Sequence, residues 1–387
     1  MAANEEFFAT RKAAAVLKHG ILKRYPVVFA SKTGQGNPVV FLDGYAGRGE
    51  YDDGKEAGSP LLLSRCADTV RDFRNVTLFF VEQNPDHFAN LQQVLAAKGG
   101  TTKRILRQGD VADHLPEVLT VARGASLFAF LDPFGLALDF DLVRSKLLGR
   151  AAGRPTEVLL HLSVSAVARM GRAVQTARSR SGHLAPDHHR TASHLTRFLG
   201  GDWWQEHFAT VGRENDHERA TDIALRVGAE YDKRLTAGSA FKAIAMPVRP
   251  RPELAPKYVL TLFTTHSDGA WHFVNALGQA GLDLEEEHYN SRMGPDTLFG
   301  GMTPFDRERH IRATMPRISA IIEGNILRLL KEMRQVRLAD HVSEVYADVL
   351  GQAWERHARH AVKSLHKRGL IDHKGIGDFW KSSICRL

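Results

Sequence analysis

Four short apolar runs, each leading into a carboxylate, constrain this chain more than any other feature. Val39-Val40-Phe41-Leu42 runs into Asp43, Val76-Thr77-Leu78-Phe79-Phe80-Val81 ends in Glu82, Arg104-Ile105-Leu106-Arg107-Gln108 leads to Gly109-Asp110, and Ser126-Leu127-Phe128-Ala129-Phe130-Leu131 ends in Asp132. Helical patterns lie between them, over Asp86–Ala97 and again, after the fourth run, over Leu136–Leu148. Short apolar strands alternating with helices indicate right-handed βαβ units and a parallel sheet. Each strand then delivers its acid to the same edge. A single acid there commonly caps the following helix, but four in succession point to one site. Ligands of open α/β sheets bind at the carboxyl ends of the strands.

The first run carries the strongest local signal. Asp43 is followed by Gly44-Tyr45-Ala46-Gly47-Arg48-Gly49-Glu50-Tyr51, a tight turn with three glycines. Glycine has no Cβ, so backbone here can approach a ligand closely. Gly-x-x-Gly-x-Gly is not the dinucleotide spacing, and on its own the stretch also suits a plain structural turn. Asp43 at the strand tip can accept hydrogen bonds from a ligand amine or hydroxyl. Glu82, at the end of the second strand, stands where a carboxylate commonly holds the ribose hydroxyls of an adenosine cofactor.

A fifth strand is expected over Glu157–Ser163, then a helical insertion at about 165–236. Within it, His183, His188, His189 and His194 with Asp187 imitate a metal cluster. No two of these histidines form a zinc pair within a recognisable motif, so the expectation is solvated loop and helix surface, with no metal. Trp203-Trp204 is expected to pack the insertion. Phe241–Val248 and Tyr258–Thr264 read as two more strands, antiparallel at the end of the sheet, joined by the stiff basic Arg249-Pro250-Arg251-Pro252. Seven strands in this arrangement make an α/β fold with the Rossmann-like sheet of a class I methyltransferase. Residues 5–25 read as an amphipathic helix, with Phe7, Ala14, Leu17 and Ile21 near one face. By spacing alone its Lys18 and His19 are solvated helix residues.

After a helix starting at His272–Leu277, the Gly-rich polar stretch Glu285–Phe305 reads as a loop and domain boundary, dividing the chain into 1–305 and 306–387. Helical patterns over Ile318–Met333, Ala339–Tyr346 and Gly351–Lys367 follow, then two short strands, Gly369–Lys374 and Asp378–Cys385, joined at Gly375-Ile376-Gly377. Three helices and a β-hairpin are the winged-helix layout, whose third helix can enter the major groove. Arg356, Arg359, Lys363 and Lys367 on that helix suit phosphate contacts. The same layout also serves protein contact or packing.

Charge agrees with a polyanionic partner: the chain of 387 residues carries a net +8, with a pI near 9.5. No apolar run approaches the ~18 residues that span a bilayer. Met1-Ala2-Ala3-Asn4-Glu5-Glu6 is not a secretory signal. Cys66 and Cys385 alone are too few for a disulfide framework or a Cys-based zinc site. The expectation is a cytoplasmic chain with no membrane partner.

Taken together, these motifs resemble the three-Cys-motif partner proteins, a bacterial group of Rossmann-like methyltransferases. The resemblance rests on the lysine-bearing first helix, Phe41 to Gly49, Gly58-Ser59-Pro60-Leu61, Val81-Glu82, Gly109-Asp110, Leu131-Asp132-Pro133-Phe134-Gly135, the strand Tyr258–Thr264 and the C-terminal layout. The N-terminal half is also similar to adenine-N6 methyltransferases of large-subunit ribosomal RNA, in which a Lys-His pair precedes Leu-Asp-x-x-Ala-Gly-x-Gly-x-Tyr. The resemblance implies S-adenosylmethionine as cofactor. It places Lys18, His19 and Tyr51 beside the cofactor, Glu82 on its ribose and Asp110 at its adenine. Asp43, Gly44, Tyr45, Ala46, Gly47, Gly49, Ser59, Gln83, Val111 and Asp132 complete that expected site. It also implies a partner protein with a three-Cys motif.

Amino-group methyltransferases carry Asp-Pro-Pro-aromatic, whereas this chain has Asp132-Pro133-Phe134-Gly135, similar to the motif of tRNA guanine-N2 methyltransferases. Both act on an exocyclic amine. The expected chemistry is therefore methyl transfer to an exocyclic amine of a nucleic-acid base, DNA or RNA. Asp132 and the Pro133 carbonyl would accept the amine hydrogens, Phe134 would stack on the base, and Lys18 would assist. The base must be flipped out or single-stranded. Two alternatives stay open: a non-catalytic nucleic-acid-binding partner subunit, and a methyltransferase with a peptide or small-molecule acceptor.

Overall fold

The computed structural model describes residues 15–33, 36–51, 56–150, 153–181, 184–209, 217–251, 253–293 and 304–387. By compactness the chain forms two units: Pro26–Thr265, and the residues up to Tyr25 together with His266–Leu387.

The described chain begins with a helix over 15–22 (α1), a break at Lys23-Arg24, and a second helix, Tyr25–Lys32 (α2). The single helix expected over 5–25 thus ends early, and its residues 5–14, with Phe7 and Ala14, lie outside the described residues. The sheet unit then runs β1 (Val39–Asp43), α3 (Ser59–Val70), β2 (Val76–Glu82), α4 (Pro85–Lys98), β3 (Lys103–Gln108), α5 (Val111–Val121), β4 (Ser126–Leu131) and β5 (Thr156–Leu162). Four insertion helices follow: α6 (Val164–Ser181), α7 (Pro186–Leu199), α8 (Trp204–Phe208) and α9 (His217–Thr236). Strands β6 (Lys242–Val248) and β7 (Tyr258–Thr264) close the sheet. Its order is β3-β2-β1-β4-β5-β7-β6, with β7 alone antiparallel to the rest. This is the expected α/β fold, with the seven-stranded sheet of a class I methyltransferase.

Burial along the strands follows from their place in that order. Central β1, β4 and β7 are buried at every position, whereas edge strand β3 has exposed ends and half-buried residues between them. Pro247 sits on β6, the other edge, where a missing N–H costs no ladder bond to a further strand. The helix expected over Leu136–Leu148 is corrected: it starts only at Phe140 and runs as a π-type segment over Leu142–Leu148. Trp204 packs the insertion as expected, fully buried, its indole N–H donating to Thr196 Oγ1 at 3.1 Å. Tyr231 stacks on Phe198 with centroids 5.2 Å apart. Gly200 ends α7 in the left-handed region (φ +73°), and a Cβ there would stand 2.4 Å from the Phe140 ring.

The second unit contains α1, α10 (Ser267–Met293), α11 (Arg307–Glu332), β8 (Gln335–Arg337), α12 (Val342–Tyr346), α13 (Glu355–Lys367) and β9 (Ser383–Cys385). Its centre is aromatic: Trp271 of α10 stacks on Trp380 at 5.6 Å and meets Tyr346 and Phe379 edge-on. Gly278 and Gly281 let α10 lie directly on the chain at 351–353, where a Cβ on Gly281 would fall 1.7 Å from the Gly351 carbonyl oxygen. Compactness therefore groups α10 with the C-terminal helices, and the contact division falls at Thr265–His266. Glu285–Met293, expected as loop, is helix; 294–303 lies outside the described residues. The expected C-terminal hairpin is also corrected. Ile371 makes a single antiparallel bridge to Arg386, and β9 pairs with β8, a strand the sequence pattern did not suggest.

Two buried titratable groups give the units opposite responses to pH. Burial pushes the Asp232 carboxyl up to about 7, opposed by a 3.0 Å hydrogen bond from the Thr261 hydroxyl. The folded sheet unit thus holds a proton that the unfolded chain releases above pH ~4, and it loses stability as pH rises from ~4 to about 7. In the other unit, burial first and then the Arg356 charge bring His357 down to about 4. That unit loses stability as pH falls from ~6.5 towards 4. Asp232→Asn should raise stability relative to wild type at pH 8, by up to about 4 kcal/mol, and much less at pH 5. Urea unfolding at the two pH values checks this; an equal effect at both would contradict the assignment.

Candidate functional site

At the carboxyl edge of the sheet the Gly-rich turn is built by four backbone ties. Gly44 N–H donates to Phe130 O at 3.0 Å and Ala46 N–H to Val81 O at 2.9 Å. Gly47 N–H donates to Glu82 Oε2 at 2.8 Å, and Gly58 N–H donates to Gly49 O at 2.9 Å. Gly47 and Gly49 occupy the left-handed region (φ +62° and +87°). A Cβ on Gly44 would sit 2.8 Å from Leu131 and 3.0 Å from Val111, so the turn also lies against the tip of β4 and the start of α5.

Asp43 is fully buried beneath this turn. Its Oδ1 accepts the Tyr45 N–H at 3.2 Å, and Ser59 also hydrogen-bonds to its carboxylate. Its Oδ2 is buried with no hydrogen-bond partner. Burial, with smaller contributions from the charges of Asp132 and Glu82, pushes its carboxyl up to about 7 despite those hydrogen bonds. Glu82 accepts at both oxygens: Gly47 N–H on Oε2, and Asn84 N–H on Oε1 at 2.8 Å. Asp110 is the N-cap of α5, its Oδ1 accepting Ala112 N–H at 2.8 Å. Asn84, rather than Glu82, caps α4. The half-buried Tyr45 donates its hydroxyl proton to Ala137 O at 2.8 Å; burial raises its phenol, and the charges of Asp110, Asp139 and Asp132 add to the rise.

Asp132 and Pro133 follow β4 directly, and Gly135 turns the chain in the left-handed region (φ +72°). Phe134 between them is 97% exposed, an unusual position for a phenylalanine. Asp132 Oδ1 lies 3.2 Å from Nδ1 of His161, which the pairing of β4 and β5 brings alongside it. His161 in turn packs against the buried Tyr258 ring, centroids 4.6 Å apart. Sequence reasoning missed His161. The signal available was its place as the penultimate residue of a strand parallel and adjacent to the one ending in Asp132.

The structure thus brings Asp43, Gly44, Tyr45, Ala46, Gly47, Gly49, Ser59, Glu82, Asp110, Val111, Asp132, Pro133 and Phe134 to one edge of the sheet. Gln83 and Tyr51 are exposed beside it. Lys18 and His19 lie on α1, in the other compact unit. The four basic residues of α13 divide. Arg356 is ion-paired with Glu308 at 3.1 Å, and Arg359 is bound to Glu355 and to the carbonyl oxygens of Gly375 and Gly377. Lys363 and Lys367 are exposed, and with Arg356 and His360 they form one exposed stripe. Among the described residues no group of three or more His, Cys, Asp or Glu is placed to hold a metal ion, and no helix is long and apolar enough to cross a membrane.

No protein-family model matches the chain, and no curated protein does. Among solved structures it is similar to the apo-form of mycolic acid cyclopropane synthase CmaA1. The identity is 13%, over 62% of this chain and 86% of that one, with a TM-score of 0.24. The fold assignment rests on the strand order.

If Glu82 pins the turn, its loss should cost stability as well as binding. Glu82→Ala strands two backbone donors and should lower the unfolding free energy by about 3 kcal/mol, with Glu82→Gln intermediate. Chemical denaturation of the two variants decides it: identical, near-zero effects would exclude the pinning role.

Proposed function

We propose that this protein is an S-adenosylmethionine-dependent methyltransferase acting on an exocyclic amine of a nucleic-acid base. One observation carries the cofactor half: a fully buried carboxylate, Asp43, with an oxygen lacking any partner, beneath a Gly-rich turn at the carboxyl edge of the sheet. A buried acceptor without a donor costs about 1–3 kcal/mol, and the ammonium group of an amino-acid-bearing cofactor supplies that donor. Each Glu82 oxygen accepts one backbone N–H and keeps a lone pair for a ribose hydroxyl. Asp110 caps α5 through Oδ1, leaving Oδ2 towards an adenine amine. Tyr51, Gln83, Ser59 and Val111 border the same edge; Lys18 and His19 enter through the resemblance alone.

The cofactor contributes an electrophilic methyl group. Asp132 and the Pro133 carbonyl accept the two hydrogens of the acceptor amine, localising a lone pair otherwise spread into the aromatic ring. Asp132 Oδ1 lies 3.2 Å from His161 Nδ1, an approach that lacks hydrogen-bond geometry and leaves His161 to set the polarity beside the carboxylate, which takes up the released proton. Phe134, exposed on the same turn, offers a stacking surface for a base drawn out of its helix. The exposed stripe on α13 and the net charge of +8 favour a nucleic-acid partner, and the helix-strand-helix-helix-strand run α11-β8-α12-α13-β9 supports reading the C-terminal part as a winged helix.

Calorimetry should detect S-adenosylmethionine binding to the intact protein, lost in Asp43→Ala; no binding to the intact protein would sink the proposal. Because Asp43 must ionise to receive an ammonium, wild-type affinity should fall up to tenfold per pH unit below about 7, a dependence absent from Asp43→Asn. Nucleoside mass spectrometry of cells with and without the protein identifies the acceptor. On that acceptor, Asp132→Asn should keep cofactor binding and lose transfer by at least about a hundredfold. His161→Asn, which retains a donor near the Nδ1 position, should outperform His161→Phe, which retains only the packing on Tyr258. Methyl transfer undiminished in Asp132→Asn would remove the amine-activating role.

A further inference from the structure

The opposite edge of the sheet has the opposite electrostatic character. Between the C-terminal end of α5, the Leu142–Leu148 segment and the start of β5 lies a concavity lined by Leu119, Arg123, Gly124, Lys146, Arg150 and Arg154, with Gly153 at its rim. Arg123 and Gly124 precede β4, and Gly153 and Arg154 precede β5. The concavity therefore opens at the amino ends of these strands. β4 is six residues long, which places the concavity about 20 Å from the acid-lined edge.

Among the described residues, four cations and no carboxylate line this space. Arg150 is preorganised: its guanidinium donates to the carbonyl oxygens of Ala122 and Ala125 and to Thr156 Oγ1, the last at 3.0 Å. All three acceptors are uncharged, and partial burial lowers its proton affinity. Arg123, Lys146 and Arg154 are exposed, and none of the four is ion-paired among the described residues. Other basic side chains of this unit are paired with acids, among them Arg107 with Glu117, Arg197 with Asp139 and Arg234 with Glu230. Gly124 and Gly153 both lie at positive φ (+78° and +128°), and a Cβ on either would meet nothing within 4 Å, so the mouth is open. Like charges gathered without counter-charge repel one another, and a multivalent anion relieves that repulsion while using the guanidinium forks and the ammonium as donors.

We propose that this concavity is a phosphate-binding site, separate from the cofactor edge, that receives several phosphate groups at once. A free polyphosphate and a nucleic-acid backbone present the same chemistry, and a binding experiment distinguishes them. The probes are tripolyphosphate and a short single-stranded oligonucleotide, each titrated at low and moderate salt against three proteins. These are wild type, the triple variant Arg123→Ala, Lys146→Ala, Arg154→Ala, and a charge-matched control with Arg65, Lys103 and Lys233 changed to Ala. Arg150 is left intact because its hydrogen bonds tie α5 to β5. The triple variant should bind at least tenfold more weakly while the control stays near wild type. Loss on tripolyphosphate as well as oligonucleotide assigns a free-phosphate site. Loss on the oligonucleotide alone, with a salt slope shallower by about 2, assigns a backbone contact. Equal weakening in triple variant and control, or wild-type affinity of the triple variant for both probes, overturns the proposal. Near-ultraviolet circular dichroism of the triple variant checks its fold, and if that is lost, Lys146→Glu alone provides the same comparison. Because neither probe contains S-adenosylmethionine, failure here leaves the methyltransferase reading standing, and the reverse.

Discussion

The architecture of the candidate site depends on one carboxylate. Glu82, at the tip of β2, accepts a backbone N–H from the Gly-rich turn after β1 and another from the segment that starts α4. Its own backbone carbonyl accepts the Gly109 N–H at 3.0 Å, which ties in the turn after β3. One residue therefore sets the relative heights of three consecutive strand-to-helix turns. Hydrogen bonds to an ionised acceptor are among the stronger ones available to a backbone donor. The remaining acids could then specialise: Asp110 as a helix cap, Asp43 as a buried acceptor, Asp132 as the partner of His161.

That division of labour sharpens what four acids at one sheet edge mean. The expectation that such acids cap helices is met by one member of the set, Asp110, and the other three do not take that role. Asp110 caps and still borders the site, while Asn84 relieves Glu82 of capping α4. Asp43 alone of the four is fully buried, and burial is the main cause that raises its carboxyl to about 7.

The strands were legible because each central one is mostly apolar and ends abruptly in polar residues. The carboxyl-edge residues were legible because the turn chemistry there is written in adjacent letters. What failed to show depended on partners distant in sequence. Glu285-Glu286-Glu287 reads as polar loop, yet α10 continues through it, and Arg307 binds both Asp283 and Glu286 across that stretch. The segment around Ile371 looked like a strand by composition, but β9 takes its main pairing from Gln335–Arg337, nearly fifty residues earlier. His161 is a polar residue inside an apolar strand, and only the register with β4 sets it beside Asp132. Local pattern reports local structure; side-chain meetings across the sheet need the register.

The exposed ring of Phe134 has a consequence for selectivity. A side chain without neighbours is not held in one rotamer by packing, so its immobilisation is deferred until something flat lies against it. Every nucleobase has such a face, and stacking rewards them nearly alike. Under the proposed reading, the ring would supply affinity while remaining indifferent to which base arrives. Discrimination would then fall to the fixed polar atoms of the same sheet edge, and the narrower their arrangement, the more permissive the ring could be.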